Sequence, residues 1–358
     1  PLLLKLISLV RPLPPQPKLH TARVSILVVA HNEANRIASR IDNLLALDYP
    51  RELLDIVIAS DGSTDETAAI ARQYGNHVQV HEFTTQRGKP AVLNELIPQM
   101  TGDVVVLADV RQRIDRSAVR VLVANFSDSL VGAVSGELML HEGNTPSEVG
   151  QGVGFYWRYE KFIRLQESRI DSTIGTTGAF YALRKELFRP IPPSTILDDV
   201  LIPMQITRQG YRVLFDPDAR AHDRVAKTSD AEFTRKVRTI AGNFQLMFRE
   251  GWLLNPRANR LWFQTLSHKF CRLFGPLWLV IAFISNLFLL ESALYRELLL
   301  LQVLFYAAAL TGHASTRTGR LPGVNIAYAF VLLNWATVLG FLRFMRGKQA
   351  VTWQKAQS

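Results

Sequence analysis

The stretch "DIVIASDGSTDETAAIA", residues 55–71, decides the fold. Residues 55–60 alternate and are rich in Ile and Val, so they read as a buried strand. Ser63 and Glu66 have the S-x-x-E spacing of a capping box, which predicts a helix starting almost at once. Asp61 is then left at the carboxyl end of a strand, facing a helix amino terminus, where open α/β sheets bind ligands. Taken alone, Asp61 before Gly62 is equally a good turn former.

Outward from that stretch the chain alternates. Residues 24–30 read as a strand and 34–47 as a helix with Ile37, Ile41, Leu44 and Leu45 on one side. Residues 78–83 and 103–108 read as strands, with a short helix over 90–98 between them. Strands alternating with helices predict a mainly parallel, right-handed doubly wound α/β sheet. Before it, residues 2–10 are apolar with one lysine and read as the end of a membrane or interfacial helix rather than a signal peptide. Pro12, Pro14, Pro15 and Pro17 then make a stiff linker, so residues 1–21 precede a folded domain spanning 22–250. No internal repeat is evident.

The 358 residues are 48% apolar yet carry a net charge of +10. The two facts coexist because the apolar residues are unevenly spread. Residues 274–290, 298–312 and 321–342 are almost free of charge and are candidate membrane helices, and only the third clearly exceeds the roughly 20 residues that span a bilayer. Basic residues cluster beside them, over 257–272, at Arg317 and Arg320, and over 343–355. This fits a membrane surface; no basic stripe is interleaved with a nucleic-acid module, so nucleic acid is not expected as a partner. Residues 257–272 mix Leu261, Trp262, Phe263, Leu266 and Phe270 with Arg260, Lys269 and Arg272, and read as an interfacial helix opening a membrane region over 251–358. The single cysteine, Cys271, forbids an intrachain disulfide and suits a reducing side.

The acidic residues line up along one sheet edge. Glu33 follows the first strand in "VVAHNEA", Asp61 the next, and Asp109 ends "VVVLADVR". Asp198 and Asp199 precede another helix in "ILDDVLIPMQITRQG", and "QRGKPAVLNEL" adds Arg87 and Lys89. Carboxylates, basic groups and glycine turns on one rim suit a nucleoside diphosphate with a metal. His31 reads as a turn residue, because no partner stands at ligand spacing.

From "VSILVVAHNEA" to "GFLRFMRGKQAVTWQK" the chain resembles the membrane-bound family 2 glycosyltransferases, the cellulose-synthase-like group with the chitin, hyaluronan and poly-N-acetylglucosamine synthases. Carrying the resemblance are "HNE", "SDGSTD", "RGKPAVLN", "LADVR", "TTGAFYALRKELF", "LDDV" and "RKVRTIAGN", in that order. It implies a GT-A-type nucleotide-sugar-binding domain followed by interfacial and transmembrane helices. Glu33 and Asp61 would hold the uridine of a UDP-sugar, with Lys89 near the same nucleotide. Asp109 would take the first position of the D-x-D motif and hold Mg2+ or Mn2+. Gly178 and Ala179 match the segment beside the acceptor, Asp199 the last position of the T-E-D motif and hence the general base, and Arg238 the arginine that meets the diphosphate. The implied reaction is an inverting transfer to a glycan or lipid-linked acceptor, by a multi-pass protein of the bacterial inner membrane with its catalytic domain in the cytoplasm.

Two departures modify these expectations. Arg111 stands at the third D-x-D position and cannot ligate a metal. Thr239 stands where the Q-x-x-R-W pattern has tryptophan, which turns the expectation from a long processive product toward a lipid-linked or short oligosaccharide acceptor. Three side readings complete the sequence. The "VTW" segment with Lys355 reads either as a loop closing over the nucleotide or as an interfacial tail, Phe155 and Trp157 read as core, and Arg158, Tyr159, Glu160 and Arg164 read as a packing helix with an acceptor-side role as the lesser alternative. A nucleotidyltransferase would share the nucleotide rim without needing the acceptor segment, and a non-catalytic scaffold or transporter component would keep the apolar helices without Asp61, Asp109 and Asp199 at strand ends.

Overall fold

The computed structural model describes residues 2–10, 13, 18, 20–141, 148–224, 229–314 and 321–347. Phe155 and Trp157 lie in a helix whose side chains there are outside the described residues, as is the "VTW" tail. Parallel strands buried on both faces need near-continuous apolar runs, and β1 (Val24–Ala30), β2 (Leu54–Asp61) and β4 (Val104–Ala108) are such runs. With β3 (Gln79–Phe83) they form a parallel block in the order β3-β2-β1-β4.

The sheet then departs from the expected mainly parallel pattern. β7 (Phe180–Arg184) pairs antiparallel with β4, and β6 (Val131–His141) antiparallel with β7. β8 (Arg212–Arg224) returns parallel to β6, and β5 (Arg113–Ile114) closes the eight-stranded mixed sheet. The parallel half follows from short βα alternation; the rest uses connections too long for local periodicity to fix.

Helices cover both faces. α2 (Ala34–Leu45), α3 (Thr67–Arg72) and α5 (Ala118–Ala124) lie over one core, to which Ile37, Ile41, Ala71 and Leu122 contribute. α4 (Lys89–Leu96), α7 (Asp198–Arg208) and α8 (Ser229–Arg249) cover the other, with Val92, Leu201 and Phe244. α6 (Glu148–Ile170) runs beside β8, and α1 (Leu2–Val10) packs on it, Ser8 Oγ donating to Gln166 Oε1 at 2.7 Å.

The capping box does not form. α3 begins three residues later than its spacing predicts, because Ser63 Oγ is engaged by Ser60 Oγ and by the Asn32 N–H. Asp65 takes over the role, its carboxylate accepting from the N–H groups of Thr67 and Ala34 and so tying the starts of α3 and α2 together.

At the carboxyl side, residues 257–272 dock on the domain instead of presenting one outward apolar face. Leu261, Phe270 and Leu273 enter the core and only Phe263 stays well exposed. A short α9 (Trp262–Gln264), a π-helical turn (Thr265–Phe270) and a 3-10 turn (Cys271–Phe274) lead directly into α10 (Gly275–Phe288). That continuity makes Trp262–Phe288 a 27-residue candidate span, joined by Ala293–Ala314 (α11) and Gly323–Met345, most of α12 (Pro322–Met345). All three are therefore long enough to cross, where the charge-free stretches pointed clearly to one; the helices extend through flanking polar residues such as Arg296 and Glu297. The last turns of α12 return to the domain, with Phe344 stacked on Phe248 and Phe341 against Phe244.

Candidate active site

The order β3-β2-β1-β4 reverses between β1 and β4, so their carboxyl ends open a crevice. Asp61 ends β2 at its side. It is 3% exposed, and its Oδ1 and Oδ2 accept the backbone N–H groups of Arg87 and Gly88, each at 2.8 Å. Its carboxylate thus shapes the loop that delivers Lys89. Gly62 completes the fit: its φ of +63° suits glycine, and a Cβ there would clash with the backbone at Thr85 and Gln86. His31 holds the same turn, its Nδ1 2.7 Å from the Asp61 carbonyl oxygen.

Lys89 is the hub. Its Nζ donates to Asp109 Oδ1 at 2.9 Å and to the Gly178 carbonyl at 3.4 Å, and lies 3.7 Å from Asp198 Oδ2. Burial opposes its charge, but Asp109, Asp198 and Asp199 together outweigh burial and raise its pKa above the ordinary lysine value. The ammonium therefore stays charged. Asp109 follows β4, and its N–H donates to the Ala179 carbonyl at 3.2 Å, which ties the strand end to the "TTGAF" segment.

Asp199 stands across Gly178 in the first turn of α7. A Cβ on Gly178 would lie 2.8 Å from Asp199 Oδ2, so only glycine allows that approach. The Thr176 N–H and Oγ1 both donate to the Asp199 carbonyl oxygen, at 2.8 and 3.1 Å, which fixes the segment against the helix start. Burial, reinforced by the like charge of Asp198, raises the Asp199 carboxyl to about 6, against the opposing pull of Lys269, Lys89 and Arg164. A carboxylate so placed releases and takes a proton near neutral pH.

The structure thus brings Lys89, Asp109, Gly178, Ala179, Asp198 and Asp199 together. Glu33 lies on the same edge at the start of α2, its N–H donating to Thr67 Oγ1 at 2.7 Å and its carboxylate paired with Arg36 at 2.9 Å. Arg238 is half-buried on α8. Arg111 turns from the crevice to Asp223, at 2.5 Å.

Two supports, Arg40 and Ser135, were not singled out by sequence reasoning, and a third, Arg164, read there mainly as packing. Arg40, fully buried on α2, donates to the Gln112 carbonyl at 2.7 Å beneath the Asp109 turn; burial lowers its pKa to about 10 while Asp109 pulls it back. The signal for it is a charged residue on the otherwise apolar face of Ile37, Ile41 and Leu44. Ser135 accepts the Thr177 N–H at 2.8 Å, and Arg164 donates to Thr177 Oγ1 at 2.8 Å. Arg164 therefore braces the 176–179 segment from α6, a contact that helix periodicity reads only as packing.

The poly-β-1,6-N-acetyl-D-glucosamine synthase of Staphylococcus aureus strain MSSA476 is 25% identical over 234 residues, covering 63% of this chain and 56% of that protein. The synthase of the same name from Staphylococcus epidermidis is 25% identical over 236 residues, 64% of this chain and 56% of that protein. The chain thus spans little more than half the length of these relatives. Among solved structures, a mannosyltransferase from Pyrobaculum calidifontis, in complex with GDP-mannose and Mn2+, superposes with a TM-score of 0.73 at 21% identity, over 97% of this chain and 94% of that one, which shows a shared GT-A glycosyltransferase fold. The sequence model of glycosyltransferase-like family 2 matches residues 22–248, and the chain belongs to that family.

Proposed function

We propose that the chain is an inverting membrane glycosyltransferase that moves a sugar from a UDP-sugar to a hydroxyl of a glycan or lipid-linked acceptor, with residues 22–250 as its catalytic domain. The observation carrying this reading is the pairing of a buried cation, Lys89, with a near-neutral carboxylate, Asp199, both against Gly178. Lys89 meets the charge that develops on the departing diphosphate. Asp199 takes the acceptor hydroxyl's proton as the new C1–O bond forms and the bond from C1 to the phosphate oxygen breaks, and one displacement inverts the anomeric carbon. Glu33, Asp61 and Arg238 complete the nucleotide side, Asp61 through the loop that it holds.

Among the described residues no three His, Cys, Asp or Glu side chains form a metal cage. A single carboxylate still fits Mg2+, or Mn2+ in the same role, because a hard ion at a phosphate takes one or two protein carboxylates and fills its sphere with phosphate oxygens and water. Asp109, with its side chain 19% exposed, is the residue that would hold it, and the ion would neutralise the diphosphate alongside Lys89.

We place the protein in a bacterial inner membrane with its catalytic domain facing cytoplasmic nucleotide sugar. The test is turnover by detergent-purified protein across UDP-glucose, UDP-N-acetylglucosamine, UDP-galactose and GDP-mannose. Activity with a UDP-sugar, lost in Lys89→Met, is the expected result. Activity confined to GDP-mannose overturns the choice of nucleotide, and no turnover of any donor overturns the reading.

A further inference from the structure

Beside Asp199, where the domain meets the candidate membrane helices, lies a cationic cluster apart from the residues assigned above to the nucleotide. Glu160, Arg164 and Glu167 are spaced i, i+4, i+7 along one face of α6. Arg164 Nε lies 3.6 Å from Glu160, and Glu167 Oε1 lies 2.8 Å from His268 Nδ1, so this face abuts the π-helical turn Thr265–Phe270. Lys269 is on that turn, next to Phe270 of the domain core and within the first third of the candidate span Trp262–Phe288, and Arg272 follows in the 3-10 turn after it. π-helical turns of this kind recur at functional sites. Lys236 joins from α8. The Glu160 carboxyl is partly buried, which opposes its charge, yet Lys269, Arg164, Arg272 and Lys236 pull it down to about 2. Arg164 thus pairs with Glu160, and Lys269, Arg272 and Lys236 act on the same carboxylate where the domain meets the apolar helices.

We propose, resting on the transferase reading, that this cluster binds the phosphate of a lipid-linked saccharide acceptor. Its place selects the lipid-borne phosphate. Lys269 also acts on Asp199, and Arg164 holds Thr177, the residue before the glycine that touches Asp199. A phosphate here sits next to the base without occupying it, and a base tuned near neutral serves a hydroxyl, whereas a phosphate nucleophile is already ionised. The nucleophile is therefore a sugar hydroxyl, the phosphate links that saccharide to its lipid, and the lipid chain runs along α10.

The test titrates the detergent-solubilised full chain with farnesyl phosphate and with farnesol, reading UDP affinity in the same samples. Farnesyl phosphate should bind at least about tenfold tighter than the alcohol, UDP should not displace it, and Lys269→Gln and the exposed Arg272→Gln should each weaken it while leaving UDP affinity unchanged. Equal binding of phosphate and alcohol overturns the proposal. Displacement by UDP overturns it in favour of the leaving diphosphate, and displacement by phosphatidylglycerol nanodiscs overturns it in favour of a bilayer headgroup. Any of these leaves the transferase reading standing as long as a UDP-sugar is turned over.

Discussion

Replacing Asp199 by Asn separates the proposed base from everything else in the site. The side chain keeps its shape against Gly178, and Lys89 keeps Asp109 and Asp198, so UDP affinity should hold within a small factor. Transfer should fall by about 10²–10⁴, the usual contribution of a positioned general base. The native pH profile gives a second reading. With the carboxyl at about 6 in the free protein, roughly nine tenths of it is ionised at pH 7 and roughly one tenth at pH 5, so kcat/KM should drop about tenfold across that interval. The Asn variant should show no such limb.

Stability should move the opposite way. A carboxyl whose pKa is raised in the folded state binds its proton more tightly there than in the unfolded chain, where it titrates near 3.9, so folding stability falls as pH rises from about 4 to 6 and the loss is complete above that. Asn removes the charge that burial and Asp198 disfavour, so the variant should melt at a higher temperature than the native protein at pH 8 and lose that advantage below about pH 4. The assay is radiolabelled sugar transfer at saturating donor with acceptor varied, alongside calorimetry at the two pH values. An Asn variant that transfers within a few-fold of the native rate, with the same pH limb, would refute the assignment of the base.

Asp198→Asn removes the like charge that helps hold Asp199 up, so its kcat/KM limb should shift to lower pH while transfer falls far less than in Asp199→Asn; an unmoved limb would contradict the coupling. Asp61→Ala strips the 85–88 loop of two charge-assisted hydrogen bonds and should cost about 2–4 kcal/mol of stability with a large loss of UDP affinity, measured by denaturant titration and calorimetric binding. Asp109→Ala should abolish the tightening of UDP binding by Mn2+ while binding in excess chelator stays as in the native chain; Mn2+ tightening that survives the substitution would move the ion elsewhere. α10 leaves from core residues Phe270 and Leu273, and α12 ends stacked on α8, so entry and exit share one side and an even number of the three candidate spans is expected to cross. Maleimide labelling of Arg346→Cys in a Cys271→Ser background should report the catalytic-domain side, and labelling from the opposite side would refute that count.

The parallel half of the fold was legible because its information is local. β1, β2 and β4 are apolar runs, each followed within a few residues by an acidic group, and burial on both faces leaves such strands no other composition. The antiparallel half was not, since β6 and β7 are separated by all of α6 and pair by long-range fit. The capping box failed for a related reason. Its spacing was correct, but Ser63 was claimed by Ser60 and Asn32 from a different turn, while Asp65, an unmarked residue in sequence, could reach both α2 and α3.

The site divides along the same line. Strand-end carboxylates are visible in sequence as residue types at punctuation points, which is why Asp61 and Asp109 could be picked out, while Asp199, expected at a strand end, stands in the first turn of α7 and was legible through its motif; what each does depends on partners that only folding supplies. Asp61 has the sequence signature of a ligand-facing acid, yet both its oxygens accept backbone N–H groups from the loop before Lys89. The nucleotide rim is therefore built in two steps: Asp61 sets the loop, and the loop sets Lys89 between Asp109 and Asp198. Lys89 in turn limits how far Asp199 can rise, since its charge opposes burial and Asp198 there. On the proposed mechanism the group that meets the leaving diphosphate thus also tunes the base, so removing Lys89 should disturb both halves of the reaction at once, whereas removing Asp199 should disturb only one.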